Sequence, residues 1–566
     1  MPPTWFLRPT LFSELPLVDA LGCPPFLARL LTLRGLTDPA AASLFLDPRL
    51  KNLADPFLLP GMRPAIERIL QAIDRRERIV LYGDYDVDGV TSLALFTRIL
   101  RRLGADPHPF LPLRMDEGYG LSPEALSRCI AQHQPQLLLA LDCGTCSVAE
   151  ITSLRDQGID VLVFDHHESK GGPGERPPCL SLVNPKLGAD FHYLCSVGIV
   201  FKACHALLKV RPVPDIDLRE YLDIVALGTV ADIVPLKGEN RILVQRGLLQ
   251  MEKSRWTGLR ALIDSAGIAP PFTPGDIGFK LGPRINAAGR LASAEQALEL
   301  LLTEDHARAR ALAAALSEQN RERQEVEKAI QQEAQLIVER EFSPDHAAII
   351  VAGDGWHPGV LGIVASRLSK AHHRATFVIG FDETGLGKGS GRSIEGLSLV
   401  KALTTCADFL VKFGGHEMAA GLTIQRDCFP DFQATFLRQA RQLLTDDQLR
   451  PRLYLDAEVL LADLHFDFLR HHETLQPFGI GNSQPIFLAR NVRSAETRIL
   501  KEKHYRFMLL QNGGGETQQA IYFGGAQQPL PAAPWDIAFQ VARNEYNGRV
   551  TLQLEIKALR SAELAP

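Results

Sequence analysis

The sequence predicts a multidomain α/β protein in four parts: a doubly wound parallel sheet, a long connecting helix, a second, smaller α/β unit and a C-terminal OB-like β-barrel. Three observations carry that expectation. Apolar, strand-like runs end in acidic or imidazole side chains: Asp84, Asp86 and Asp88 in LYGDYDVDGVTS, Asp142 in LLLALDCG, Asp165, His166 and His167 in VLVFDHHES, and Asp232 in LGTVADIVP. The stretch from Thr303 to Ser343 contains neither Gly nor Pro. From about Leu453 onward, short alternating segments are separated by turns such as NGGG and NEYNG.

The chain has 566 residues, too many for one core, and a guide of about 150 residues per domain gives three or four. Residues 1–75, rich in Pro and Leu, are expected as short helices packed on the next domain. Residues 76–265 form the first α/β domain, where RIVLYG, QLLLAL, IDVLVF and DIVALGTV alternate with helical stretches such as Ser92–Leu103 and Val197–Leu208. That alternation is the mark of parallel strands joined by crossover helices.

Residues 266–343 are the connecting region. Thr303 is the expected N-cap, and forty or so residues at 1.5 Å rise span roughly 60 Å. Leu312, Leu316, Val326, Ile330 and Ile337 give a narrow apolar seam that Asn320 and Arg323 interrupt, which favours a connecting helix over a coiled coil. Residues 344–450 are the second α/β unit, with AAIIVA and ATFVIG as strands, Gly359–Ala371 as a helix, and the Gly-rich stretches GLGKGSGRS and FGGHEMAAGL. Residues 451–566 supply IFLARNVR, YRFMLLQ, QQAIYFG, DIAFQVARN and RVTLQLEIKAL, strands enough for a small barrel.

Hydrophobic content of 46% with mean hydropathy of −0.02 is ordinary for a water-soluble chain. No apolar run reaches the ~18 residues of a membrane span, and MPPTWFLRPTLF lacks a basic region followed by a secretory apolar segment, so a cytoplasmic protein without membrane contact is expected. Nine cysteines, an odd number, argue for a reducing compartment and against a disulfide framework. Cys143 and Cys146 form a C-x-x-C without a second pair at zinc spacing. The net charge of −5 does not demand nucleic acid, although Gly359–Arg426 and Asn491–Arg560 each carry a local excess of +3.

Strand ends of a parallel sheet converge on the crevice where open α/β folds bind ligands. Six carboxylates gathered there repel one another, each pair by about 4 kcal/mol at ~4 Å and an effective dielectric near 20. A cation is needed to hold them. Oxygen ligands mixed with imidazole suit Mn²⁺ or Mg²⁺, and Asp residues shared between two ions suit a two-metal phosphoester site. Taken singly, each acid is better explained as a helix cap or turn residue. Asp84–Gly89 has the look of a calcium loop, but a strand precedes it and the Glu of an EF-hand is missing, which excludes that reading.

GDYDVDGVTS, DCGT, DHH and Asp232 resemble, in order, the motifs of the DHH phosphoesterase family. GPRINAAGRL (Gly282–Leu291), GWHPGVLGIVASRL (Gly355–Leu368), SGRS (Ser390–Ser393), FGGHEMAAGLT (Phe413–Thr423) and LQPFGIGNSQPIF (Leu475–Phe487) extend the resemblance to that family's single-strand-specific 5′→3′ exonucleases, from about Ile79 to the C-terminus. The resemblance implies a DHH catalytic domain, a DHH-associated substrate-binding domain and an OB-like nucleic-acid-binding domain. It implies two divalent ions, Mn²⁺ or Mg²⁺, on Asp84, Asp86, Asp88, Asp142, His166 and Asp232, with Asp142 bridging. Many relatives carry a histidine where this chain has Tyr82.

By the same resemblance His167 contacts the scissile phosphate and Asp165 orients an imidazole. Arg114, Ser390 and Arg392 hold a 5′-phosphate or nearby backbone, the glycines around Ser390 letting main-chain N–H groups approach it. Arg284, Asn286 and Arg290 line the strand's path, His416 sits beside the phosphate, and Tyr119 is a stacking residue. Arg498, Lys501, Lys503, Tyr505 and Arg506 of the barrel read equally as a strand-binding groove or an ordinary exposed face. The implied activity is release of 5′-mononucleotides from single-stranded DNA in repair and recombination, by a monomer working with a single-strand-binding protein and a helicase. The rivals are a phosphodiesterase for short oligonucleotides or cyclic dinucleotides and a non-catalytic DNA-binding scaffold.

Overall fold

The structure is a computed structural model that describes residues 3–113, 117–118, 120–169, 176–188, 193–291, 293–343, 345–511, 517–546 and 548–562. Strand β1 (Thr4–Leu7) opens the chain and is followed by the first sheet: β2 (Ile79–Gly83), β3 (His108–Phe110), β4 (Leu137–Leu141), β5 (Asp160–Phe164) and β6 (Ser181–Val183). These five are parallel, in the order β3-β2-β4-β5-β6. The order reverses at β2, so the crevice at the carboxyl ends of β2 and β4 is the switch point of a doubly wound fold.

Side chains alternate across this sheet as strand geometry requires. Leu81, Leu139, Leu141, Leu162 and Phe164 pack with the helices Val87–Arg102 and Ser196–Val210. Val80, Tyr82, Leu138, Ala140 and Val163 pack with the helices Pro123–His133 and Val148–Asp156.

DIVALGTV is not a strand. It forms the helix Leu222–Ala231, buried from Leu222 through Thr229 among other helices. An apolar run enclosed on every side carries no periodicity that separates helix from strand.

The connecting helix runs His306–Glu341, and Asp305 rather than Thr303 caps it: its Oδ1 accepts from Ala307 N at 2.7 Å and Arg308 N at 3.1 Å. Its buried face belongs to two cores. Ala309, Leu312, Ala313 and Leu316 lie in that of the first domain, while Ile330, Ala334 and Val338 lie against the second. Between them Asn320, Arg323 and Glu327 are buried and bonded to one another, with Arg367 pairing Glu327 from the second domain. The interruption of the seam is therefore the crossing from one core to the other. Val326, expected in the seam, is exposed.

The second sheet contains β7 (Ala348–Asp354), β8 (Ala375–Phe381), β9 (Leu386–Arg392), β10 (Leu410–Gly415) and β11 (Ala419–Gln425), in the order β10-β11-β9-β8-β7. GLGKGSGR is thus an interior strand. A Cβ on Gly389 would lie 2.8 Å from Leu422, and one on Gly391 2.4 Å from Phe377, so the glycines make room for an apolar layer.

The remaining strands are β12 (Arg452–Leu455), β13 (Ala457–Glu458), β14 (Phe487–Leu500), β15 (His504–Gln511), β16 (Gln518–Tyr522), β17 (Trp535–Tyr546) and β18 (Arg549–Ser561). β14-β15-β16-β18-β17 closes on itself through a β14–β17 pairing, giving the expected small barrel.

The N-terminal segment divides between two partners instead of packing only on the next domain. β1 pairs in parallel with β12, Thr4 opposite Arg452, and Leu17, Leu27, Leu30 and Leu31 share a core with the barrel. Phe26 stacks on Phe468 at 4.0 Å. Residues 59–73 instead join the first domain's core.

Arg241 fastens these parts together. It is buried, lies 3.7 Å from the Phe45 ring centroid, and donates to the carbonyls of Phe45 (2.9 Å), Leu475 (2.9 Å) and Thr474 (3.0 Å). Burial pushes its pKa down to about 9. Among the described residues, no single helix is long and apolar enough to cross a membrane. Arg241→Ala strands the buried Leu475 carbonyl and two half-buried ones and should cost about 3 kcal/mol, seen as a lower denaturant midpoint for the unfolding transition that includes the barrel.

Candidate metal centre

The segment after β2 packs three acids into one turn. Asp84 is buried at the strand's end, and Asp86 caps the helix Val87–Arg102 by accepting from Gly89 N at 3.1 Å. Asp88, in that helix's first turn, grips the start of another helix: its two oxygens accept from Ser196 N at 2.7 Å and Val197 N at 2.8 Å. A helix N-terminus is where a carboxylate is most stabilised. Gly89 is required by close approach, since a Cβ there would lie 2.3 Å from Asp84 O. Gly228 plays the same part from the Leu222–Ala231 helix, where a Cβ would meet Thr91 at 2.3 Å and Asp88 at 3.3 Å.

Asp142 follows β4 in the left-handed region, φ 64°, which Asp tolerates better than most residues. Its N–H donates to Phe164 O at 3.0 Å and its Oδ1 accepts from Ser196 Oγ at 2.9 Å. Asp232 stands at the C-terminal end of the Leu222–Ala231 helix, not at a strand end.

Together these elements surround one ring nitrogen. His166 Nε2 lies 3.4 Å from Asp142 Oδ1, 3.5 Å from Asp232 Oδ2 and 3.9 Å from Asp88 Oδ2. No hydrogen bond closes these gaps, and both His166 Nε2 and Asp232 Oδ2 are buried without a hydrogen-bond partner among the described residues. Asp84, Asp86 and Asp142 offer a second set of oxygens within 4.8 Å of one another.

The charges are costly as they stand. Burial, with the Asp86 charge, pushes the Asp88 carboxyl up to about 7. Burial and the Asp88 charge push Asp232 up to about 9 and Asp142 well above the usual carboxylate range. Burial and the neighbouring His167 ring take His166 down to about 3, leaving it neutral and able to donate a lone pair. Oxygen-rich donors, one neutral imidazole and buried atoms facing a shared centre fit a hard or borderline divalent ion.

A hydrogen-bonded frame stands behind this cluster. Asp165 accepts from His167 Nδ1 at 2.7 Å, from the N–H groups of His166 (2.8 Å) and His167 (3.2 Å), and from Thr145 N at 3.0 Å. Against burial, which favours neutral forms, this pairing holds the Asp165 carboxyl below its usual range and raises the His167 ring. Asn184 donates to Thr145 Oγ1 at 3.0 Å and to His167 O at 2.9 Å.

Thr145, Asn184 and Ser196 escaped the sequence reading. Of the three only Ser196, at the head of an apolar helical run, carried a signal. Cys195 also lies within reach of Asp88 and Asp232, but burial pushes its thiol up, so it remains protonated and donates to Thr229 Oγ1 at 3.6 Å.

Tyr82 points away from the centre. Its hydroxyl donates to Gly120 O at 2.8 Å and its ring lies 5.2 Å from that of Phe110. Arg114 and Tyr119 lie outside the described residues, as does the side chain of Arg290. The helix Gly282–Leu291 passes beneath the acidic turn, where a Cβ on Gly289 would sit 3.1 Å from Tyr85 O. On that helix Arg284 donates to Ser317 Oγ at 3.0 Å, and Asn286 is half-buried.

Ser390 and Arg392 stand on β9, where ladders on both sides occupy the main chain. Any anion there meets side chains, which corrects the expectation of free N–H groups. Arg392 Nη1 donates to Gly391 O at 2.8 Å and Ser390 Oγ at 3.3 Å, and among the described residues no carboxylate pairs with it. Burial lowers its pKa. His416 is exposed at the β10–β11 turn.

Residues 78–229 match the model of the DHH family N-terminal domain, residues 345–442 the DHHA1 domain, and residues 455–558 the RecJ OB domain. The chain is 37% identical over 549 residues to the single-stranded-DNA-specific exonuclease RecJ of Bacillus subtilis, covering 96% of this chain and 68% of that one. It is 36% identical over 579 residues to the RecJ of Dickeya dadantii, covering 98% of each. Among solved structures it is similar to RecJ of Thermus thermophilus in complex with Mn²⁺, with TM-score 0.83, 33% identity and coverage of 99% of this chain and 79% of that one. The Mg²⁺ complex of the same protein gives TM-score 0.78, 31% identity and coverage of 99% and 78%.

Asp88, Asp142 and Asp232 hold protons more tightly folded than unfolded. That stabilisation is complete below the ordinary carboxylate value and is lost as pH rises through about 7 and about 9. In chelator the protein should therefore melt at progressively lower temperature from pH 5 to pH 9 (roughly, by linkage), a trend a thermal scan at several pH values checks.

Proposed function

The chain belongs to the RecJ family of exonucleases, and on that premise we propose that it removes 5′-mononucleotides from single-stranded DNA with two divalent ions, Mn²⁺ or Mg²⁺. The observation that carries this reading is the convergence of His166 Nε2 with Asp88, Asp142 and Asp232 at 3.4–3.9 Å. Asp84, Asp86, Asp88, Asp142, His166 and Asp232 would hold the ions, Asp142 serving both. When bound, such ions lower the pKa of the attacking water and neutralise charge on the phosphate oxygens.

The protein groups supply the rest. Ser196 and the N-terminus of its helix fix Asp142 and Asp88, so the cluster is positioned before substrate arrives. Asp165 fixes His167 through Nδ1, leaving Nε2 to meet the scissile phosphate, and the raised pKa favours the protonated ring there. Arg392 and Ser390 are suited to the 5′-phosphate, with Arg114 as a second cation and His416 beside them. Arg284, Asn286 and Arg290 line the strand's path, Tyr119 stacks on a base, and the barrel holds the trailing strand through Arg498, Lys501, Lys503, Tyr505 and Arg506. The setting is a cytoplasmic monomer acting in DNA repair and recombination beside a helicase and a single-strand-binding protein.

A long single strand labelled at either end and incubated with Mn²⁺ tests the reading. Release of a labelled mononucleotide from the 5′ end supports it. Cleavage confined to short oligonucleotides, or binding without hydrolysis, overturns it. Asp142→Ala should lower the rate by at least about a thousandfold, with strand affinity by anisotropy unchanged within a few-fold. Arg392→Ala should reduce the preference for a 5′-phosphorylated over a 5′-hydroxyl end by about tenfold, measured as a ratio of kcat/KM values.

A further inference from the structure

Ile233 directly follows Asp232 and has φ 63°. With Asp232 as the helix's C-cap, it occupies the second position beyond the Leu222–Ala231 helix, its N–H on Val230 O at 3.3 Å. Helices often end on a left-handed residue there, but that residue is ordinarily Gly or Asn, and for a β-branched side chain this region is a true outlier. Most of the side chain stays in solvent, 66% exposed, so the fold gives it little in return. An exposed, strained isoleucine beside a buried ligand cluster points to a contact with something that arrives from solution.

The rim around it is apolar in a second place. Gly282 would bring a Cβ within 3.4 Å of Ala231 and 3.9 Å of Val87, so the π-helical turn Ile277–Leu281 ends against the same cluster. That turn carries Phe279, which is 83% exposed, and π-helical turns recur at functional sites.

Resting on the exonuclease reading, we propose that Ile233 is a substrate-contacting wedge whose side chain packs on the nucleobase next to the scissile phosphate. A phosphate placed at the His166–Asp232 cluster leaves the base as the apolar surface of the substrate nearest to residue 233. An unpaired strand presents that face freely, every base offers one, and so the contact is tolerant of sequence while favouring unstacked DNA.

The test crosses removal of the side chain with removal of the base. Full-length wild type and Ile233→Gly are given Mn²⁺ and 5′-phosphorylated single strands, either normal or abasic at the two terminal positions, and the first release is timed. Wild type should lose about tenfold on the abasic strand, and the glycine variant should lose about tenfold on the normal strand with no further loss on the abasic one. Its melting temperature should rise, because glycine adopts this φ without strain, and its half-saturating Mn²⁺ concentration should stay at the wild-type value. A glycine variant as fast as wild type, or a wild type indifferent to base removal, overturns the wedge. The abasic arm on wild type needs no variant and can overturn the wedge even if the glycine protein folds poorly, while the cross with Ile233→Gly separates this contact from stacking on Tyr119. A wild type that binds Mn²⁺ yet releases nothing from any strand overturns the exonuclease reading, and the wedge with it.

Discussion

Acids that repel one another must be held within a few ångströms, out of water, and most of the first domain's detail answers that demand. Asp88 survives burial because the head of the Ser196 helix donates two N–H groups to it. Asp142 is turned inward by a left-handed backbone and steadied by Ser196 Oγ. Gly89 and Gly228 are glycines because the segments that carry these acids approach too closely for a Cβ. Asp232 has the least support. It sits at a helix C-terminus, where the macrodipole opposes a negative charge, and its pKa, pushed up to about 9, exceeds the about 7 of Asp88.

The same placement explains what was legible in the sequence. The acids after β2, β4 and β5 stood out because a parallel strand ends abruptly at the crevice, and that edge is written locally as an apolar run followed by acid. Asp232 was found for the wrong structural reason, since its apolar run is a buried helix and an enclosed run has no period to read. Thr145 and Asn184 were invisible, and Ser196 nearly so, because each acts across a long sequence separation through hydrogen bonds that leave no local pattern. The position of Tyr82 raised the question of a missing ligand. The structure answers with strand alternation: residue 82 faces the opposite layer, where its hydroxyl reaches Gly120 O.

Glycine-rich text misled in a different way. The glycines around Ser390 were expected to free main-chain N–H groups, yet the stretch is the middle of a sheet, because missing side chains can serve a neighbour's bulk. The long helix offers the reverse case. Asn320 and Arg323 looked like an interruption of a seam, and the break turns out to be the boundary between two cores, bridged by Glu327 and Arg367.

The pairing of β1 with β12 also sets a timetable. Thr4 lies opposite Arg452, so this strand waits for a partner made roughly 450 residues later, about 20 to 90 seconds at about 5–20 residues per second of synthesis. Over that interval Leu17, Leu27, Leu30 and Leu31 lack the barrel surface that later covers them. A segment made early is thus among the last to find its place.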